Sequence, residues 1–323
     1  MRRVLAALAA GAFLVTASAC GSSGDSTGSD KASSSGGTTK VKVGVIPIVD
    51  VAPLYLGQEK GFFKKQGLEL EVSLAQGGAA IVPAVASGQY QFGFSNSTSL
   101  MIAQSNNVPV KVVSNGIAST GVQGKDFGAL TVKGDSSIKS ADQVEGKKVA
   151  INTLKNINET AVRESVRKAG GDPDKVKFVE LAFDQMPAAL DSGQIDAAMV
   201  VEPALATVKS QGAREIASPL VDVAPDLTVA MYFTSTSYEQ RNAAVVKRFQ
   251  AAVAESLAYA DAHPDEARQI VTTYTKIPAA VLAKVTLPAW PAEPDRASLD
   301  ALQKLGQDDG LFKTAPDLDK LLP

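Results

Sequence analysis

One phrase of the chain is used twice. Ala84-Val85-Ala86-Ser87-Gly88-Gln89-Tyr90-Gln91 returns about a hundred residues later as Ala189-Leu190-Asp191-Ser192-Gly193-Gln194-Ile195-Asp196, each time between a helix-like and a strand-like stretch. In both copies an apolar, Ala-rich run ends at a glycine able to take the left-handed conformation that closes a helix. A short buried strand follows, Phe92-Gly93-Phe94 in one copy and Ala197 to Val201 in the other. One αβ unit used twice predicts two related lobes. Lobes that face each other leave a cleft, the default place for a small ligand.

The N-terminal residues carry a second, separate signal. Arg2 and Arg3 precede an uncharged apolar run from Val4 to Val15, then the small residues Ala17-Ser18-Ala19 and Cys20. The pattern predicts an export signal over residues 1–19, because the run is far short of the roughly 20 apolar residues a spanning helix needs. Cys20 is the only cysteine, so no disulfide can form within the chain. A cysteine behind Ala and Ser resembles a bacterial lipobox, with Ala17 where Leu or Val is usual; that resemblance implies acylation of Cys20 and a membrane anchor. Residues 20–40 are mostly Gly, Ser, Thr and Asp and cannot bury enough apolar surface to order. They are expected to be a tether, with a reach of about 25 Å for a coil of ~20 residues.

Without the leader, 30 basic residues stand against 34 acidic ones, which is no footprint for nucleic acid. Along the rest of the chain, short runs rich in Val, Ile and Phe alternate with longer amphipathic or Ala-rich segments. The runs are Val41–Ile46, Leu68–Leu74, Gln91–Phe94, Val110–Ser114, Val149–Ile151, Val176–Leu181 and Ala197–Val201. This β-α-β-α order predicts parallel sheets with helices on both faces. The alternation loosens at Gly116–Phe127, and a strand-like Thr228–Ser235 follows the second unit; both are expected to be crossovers between lobes. The first lobe is then discontinuous, residues 41–125 with 232–323, and the second spans 126–231. From Asn242 the spacing of Val245-Val246, Phe249 and Val253 predicts a helix that ends at His263-Pro264.

Ligands in such sheets settle beyond the carboxyl ends of the strands. That rule selects Asp50 and Val51 after the first strand, Gln76 and Gly77 after the second, and Ser95, Asn96 and Ser97 after the third. The second lobe contributes Asn152, Asn156 and Glu202, and the first crossover Ser119 and Thr120. Most of these offer uncharged hydrogen bonds, which suit binding without reaction. Ser and Asn ahead of helical runs are also plain N-caps, and Glu202 either meets a ligand amine or begins a helix. Lys155 is either a partner for an anion or a surface lysine. Tyr55, Tyr232 and Trp290 are read first as packing and second as stacking surfaces. A single histidine, His263 in a turn, assembles neither a metal site nor a Ser-His-Asp triad. No phosphate-cradling G-x-x-x-x-G-K-S/T loop occurs, and Gly93-Phe94-Ser95 lacks the second glycine and the base of a nucleophile elbow.

The stretch Val51-Ala52-Pro53-Leu54-Tyr55-Leu56-Gly57-Gln58-Glu59-Lys60-Gly61-Phe62-Phe63-Lys64-Lys65-Gln66-Gly67-Leu68-Glu69-Leu70-Glu71 resembles the opening motif of a family of binding proteins. These are the nitrate, sulfonate, taurine and thiamine-precursor (NMT1/THI5-like) substrate-binding proteins of ABC importers. Ala84–Gly88, Leu190–Pro203 and the ending from Leu305-Gly306 through Gly310-Leu311-Phe312-Lys313 to Leu321 fit the same family. The resemblance implies an α/β, two-lobed periplasmic-binding-protein-like fold of type II, each lobe a mainly parallel sheet with helices on both faces. It also implies that the loops at Asp50, Gln76-Gly77 and Ser95-Asn96-Ser97 line the cleft. Gln91 stands where the family usually has Asp, and the first loop lacks the Trp common in pyrimidine-precursor binders.

The expected function is therefore solute capture outside the cell, with delivery to an ABC permease and its ATPase. The expected solute is a small polar or anionic molecule of the sulfonate, taurine or nitrate kind; a pyrimidine precursor or aromatic acid is the alternative. No cofactor, metal or nucleic acid is expected, and the chain is expected to be a monomer. An enzyme on this scaffold, like the pyrimidine synthases, would need a cysteine-rich motif and histidines for iron, which this chain lacks.

Overall fold

The structure, a computed structural model, describes residues 38–323; the export signal, Cys20 and the tether up to Gly37 lie outside the described residues. The first sheet is built from β1 (Thr39–Val45), β2 (Leu68–Leu74), β3 (Phe92–Asn96), β4 (Val110–Ala118) and β10 (Thr228–Ser235), in the order β2-β1-β3-β10-β4. The second contains β5 (Gly128–Val132), β6 (Lys148–Ile151), β7 (Lys177–Glu180), β8 (Ala197–Val201) and β9 (Arg214–Ala217), in the order β7-β6-β8-β5-β9. Lys40, expected in the tether, already belongs to β1 and pairs with Glu69 of β2.

The two sheets repeat one topology, and each is mainly parallel, as expected, with one reversed strand. β10 runs antiparallel to β3 and β4, and β5 runs antiparallel to β8 and β9. The reason lies in how the chain changes lobes. β4 leaves the first sheet at its carboxyl edge, and the carboxyl edges of the two sheets face each other. A strand entering there without a crossover helix must run against its neighbours. β5 enters the second sheet in this way, and β10 enters the first. Thr228–Ser235, expected as a crossover, is accordingly a fully buried strand of the first sheet. The crossovers precede these strands and lie side by side: Ser119 N–H donates to the Leu227 carbonyl at 2.9 Å, and Gly124 N–H to Ser218 Oγ at 2.8 Å.

The repeated phrase has the same job in both lobes. Gly88 and Gly193 both take positive φ, +81° and +72°, ending the helices Gly78–Ala86 and Met186–Asp191. Three residues after each glycine a side-chain oxygen accepts from a neighbouring strand: Gln91 Oε1 from Lys42 N–H and Asp196 Oδ2 from Lys148 N–H, both at 2.8 Å. Gln91 thus does in the first lobe what an aspartate does in the second.

The helix Ala243–Ala262 covers the first sheet with Val246, Phe249, Val253 and Leu257, the three- and four-residue spacing expected of a buried stripe. Phe249 stacks on Phe92 at 3.8 Å, and each such buried ring contributes about 1.5–3 kcal/mol. The helix Ala52–Glu59 packs on the same long helix, closely enough that a Cβ on Gly57 would sit 1.9 Å from Ser256 Oγ. In the second lobe the helix Ile157–Lys168 buries Ala161, Val162 and Val166. His263 lies exposed between helices, its ring stacked on Tyr259 at 3.9 Å.

Candidate functional site

The loops that leave the carboxyl ends of β1 and β2 meet those that leave β8 and β6. Val49 N–H donates to the Glu202 carbonyl at 3.1 Å. Gln76 Nε2 donates to the Asn152 carbonyl at 2.9 Å, and Asn152 Nδ2 returns a longer bond to the Gln76 carbonyl at 3.4 Å. Gly77 fits this junction because a Cβ there would stand 2.8 Å from Thr153 Cγ2 and 3.1 Å from Asn152 Nδ2. The gap between the lobes is therefore closed by direct contact.

Several expected ligand contacts spend their hydrogen bonds on the protein itself. Asn156 Oδ1 caps its helix by accepting from Asn158 and Glu159 N–H, and Asn156 Nδ2 donates to Asn152 Oδ1 at 2.7 Å and to Thr153 Oγ1 at 2.9 Å. No donor or acceptor site of Asn156 is left over. Asn152 Oδ1 also accepts from Asn158 Nδ2 at 2.8 Å. Asn96 caps the helix Ser97–Ser105 at Ser99, and Ser97 Oγ donates to the Thr228 carbonyl at 2.7 Å. Ser119 Oγ and both the N–H and the hydroxyl of Thr120 donate to Asp126, which accepts from Phe127 N–H as well. Ser119 and Thr120 therefore build the crossover, around an aspartate that the sequence reading did not single out. Burial raises the Asp126 carboxyl above its usual range despite these donors.

Glu202 is buried, and its carboxylate is also committed. Oε2 accepts from Ala206 N–H at 2.9 Å, beginning the helix Ala204–Ser210, and Oε1 accepts from Thr286 N–H at 3.0 Å. Burial pushes its pKa up to about 7, opposed by those two amides. Lys155 is exposed.

Asp50 differs from all of these. It is 4% exposed, its Oδ1 is sealed from solvent, and no partner for that oxygen exists among the described residues. Burial pushes its pKa up to about 8; its own amide opposes the shift and the Asp126 charge adds to it. The turn Val49–Val51 that carries it packs against β4 across the top of the first sheet. Tyr274 fastens this turn by donating from its hydroxyl to the Ile48 carbonyl at 3.1 Å, and stacks on Tyr55 at 4.0 Å. Burial raises the phenol of Tyr232, on β10, and the charge of nearby Asp50 adds to the shift.

Further buried polar atoms without partners lie on neighbouring elements: Tyr232 Oη, Asn115 Oδ1 on β4, Thr98 Oγ1 and Trp290 Nε1. Ser95 Oγ has only a 3.5 Å contact to the Asn96 carbonyl. Such orphans are rare in folded proteins and ask for an explanation. Asn115 and Thr98 escaped the sequence reading, although an Asn inside the apolar run of β4 was a visible signal. Tyr232 and Trp290 were read mainly as packing. Among the described residues no His, Cys, Asp and Glu cluster suits a metal ion, and no helix is long and apolar enough to cross a membrane.

Known proteins fall in line with this architecture. The bicarbonate-binding protein CmpA of Synechococcus elongatus is 30% identical over 183 residues, half of this chain and 41% of that protein. The taurine-binding periplasmic protein of Escherichia coli is 26% identical over 204 residues, 63% of this chain and 61% of that one. The alkanesulfonate-binding protein SsuA of Xanthomonas axonopodis, solved with MOPS bound, superimposes with a TM-score of 0.75 over 89% of this chain and 99% of its own, at 15% identity. That likeness places the chain in the two-lobed periplasmic-binding-protein fold. Residues 48–267, well over half of the chain, match the NMT1/THI5-like family, and the chain belongs to it.

Proposed function

We propose that this protein is the solute-binding component of an ABC importer. It captures a small polar or anionic organic solute, of the sulfonate, taurine or nitrate kind, between its two lobes and hands it unchanged to a permease served by an ATPase. The observation that carries this reading is the junction itself: loops from the carboxyl ends of both sheets meet, and buried polar atoms beside it lack partners. The bicarbonate and taurine binders among its relatives support the class of solute.

The lobes divide near the crossovers, residues 41–125 with the chain from Thr228 onward against 126–227, because β10 belongs to the first sheet, and they open about those two adjacent segments. The leader and Cys20 support an exported, lipid-anchored protein tethered at the membrane surface. The amides and hydroxyls at the junction suit binding without reaction.

A thermal-shift screen of sulfonates, nitrate, amines, aromatic acids and pyrimidines tests the reading. A solute at a hundredfold its Kd stabilises the native state by about 2.7 kcal/mol, a rise of several degrees. The solute should be recovered unaltered by mass spectrometry. No shift with any class, or turnover of the solute, contradicts the proposal.

A further inference from the structure

The buried ionisable side chains among the described residues, tyrosines aside, are all acidic. Among the described residues Asp50, Asp126, Glu159 and Glu202 are buried, whereas no Lys, Arg or His is. Glu159 is paired with Arg163, Glu202 with two amides, and Asp126 with its ring of crossover donors. Of these four, Asp50 alone keeps a sealed carboxyl oxygen with nothing to bind; Asp309 Oδ2 is sealed as well, but that carboxylate already meets the Arg167 guanidinium. A buried acceptor left in this state costs free energy that a donor arriving with a ligand recovers, and a cationic donor recovers the most. Three aromatic rings accompany it: Tyr55 and Tyr274, stacked beside its turn, and Tyr232 with its own unpartnered hydroxyl. Rings and a carboxylate together favour a cation over an anion.

We propose that the captured solute carries a protonated nitrogen, an ammonium or an equivalent cationic N–H group, which seats on Asp50 beside Tyr55, Tyr232 and Tyr274. The inference rests on the solute-binding reading above and narrows it. If the solute also has an acidic group, that end is held by uncharged donors, because among the described residues no buried Lys, Arg or His is present to meet it. Besides burial and its own amide, the group that bears on the ionisation of Asp50 is Asp126 from the crossover; the Asp50 charge in turn adds to the burial that raises the phenols of Tyr232 and Tyr274. With its pKa near 8, Asp50 is mostly protonated in the empty site at pH 7, so an incoming ammonium displaces that proton.

Calorimetric titration with matched pairs tests this: taurine against isethionate, 4-aminobutyrate against butyrate, and 2-phenylethylamine against 2-phenylethanol. Each pair differs chiefly in the ammonium. The expected result is that the amine of at least one pair binds tenfold or more tightly than its partner. Titration in buffers of different ionisation enthalpy should show close to one proton released per solute at pH 7, a readout that needs no variant. Asp50→Asn should lose tenfold or more in affinity for the amine. Binding of an amine-free anion with no proton released, or affinity indifferent to the ammonium, overturns the inference and leaves the receptor reading standing. Failure of every compound to bind here and in the wider screen overturns both.

Discussion

Gln76 and Asn152 bond to each other across the interlobe gap, the Gln76 amide donating to the Asn152 carbonyl at 2.9 Å and the Asn152 amide answering at 3.4 Å. The first residue follows a strand of one sheet and the second follows a strand of the other. Two neutral bonds of this kind are worth only about 1 kcal/mol each, enough to bias closure and too little to lock it.

Gly77, next to Gln76, sets how near the lobes come. Gly77→Val places its branched side chain against Thr153 and Asn152, where even a Cβ has only 2.8 to 3.1 Å of room. The variant should fold with a melting temperature near that of the parent chain and bind its solute at least tenfold more weakly, as read by calorimetry. Unchanged affinity would show that this contact is not part of the closed state.

Asp50 should make stability fall as pH rises. The folded chain keeps the Asp50 proton up to about pH 8, while the unfolded chain loses it near 3.8, so the folded state binds more protons between those values. Its contribution to stability therefore declines by about 1.4 kcal/mol per pH unit across that window and is flat above it. Glu202 adds a decline of the same sign between 4.5 and about 7. In denaturant titrations of the ligand-free protein, Asp50→Asn should remove the Asp50 slope, leave that of Glu202, and be more stable than the parent at pH 8. Equal slopes would contradict the assignment.

Asp126 gathers the Ser119 hydroxyl, the Thr120 hydroxyl and amide, and the Phe127 amide into the turn that carries the chain between lobes. Asp126→Ala strips the acceptor from four donors, two of them backbone, and should destabilise the protein by about 3 kcal/mol. Asp126→Asn, which keeps an acceptor oxygen, should cost less. Denaturant unfolding measures both.

Gln91 and Asp196 make equivalent bonds to the strands beside them. Gln91→Ala should cost about 1 kcal/mol by orphaning the Lys42 amide, and Gln91→Asp should retain part of the bond. Thermal unfolding compares the two.

The repeat at Ala84 and Ala189 was enough to read two related lobes, and β2 and β8 have the bounds that the Leu-Glu alternation of one and the Ala- and Val-rich run of the other suggest. β5 and β9 went unread. Gly128–Val132 follows directly on a polar crossover, and Arg214–Ala217 is a half-buried edge strand carrying two charges, so neither shows a clear apolar run. The reversal of β5 and β10 was invisible for a different reason: they run backward because of where the chain enters each sheet, which no local pattern encodes. In the site, the strand-end rule led to the loops that meet between the two sheets, and several of the side chains it selected are engaged within the protein. Asn156, Ser119 and Thr120 satisfy local backbone and one another, a choice open to any Asn, Ser or Thr at a turn. Asn115 and Tyr232 come from strand interiors, outside the reach of that rule.

Closure of the lobes around a solute is tested most directly by the distance between their rims. Leu74 and Leu154 are exposed on opposite sides of the Gln76–Asn152 contact. Spin labels on Leu74→Cys and Leu154→Cys, in a chain carrying Cys20→Ser, report that distance by pulsed dipolar spectroscopy. With the solute that raises the melting temperature most, the account predicts a single short, narrow distribution, and a longer, broader one without it. A distribution that does not change on saturation would contradict it.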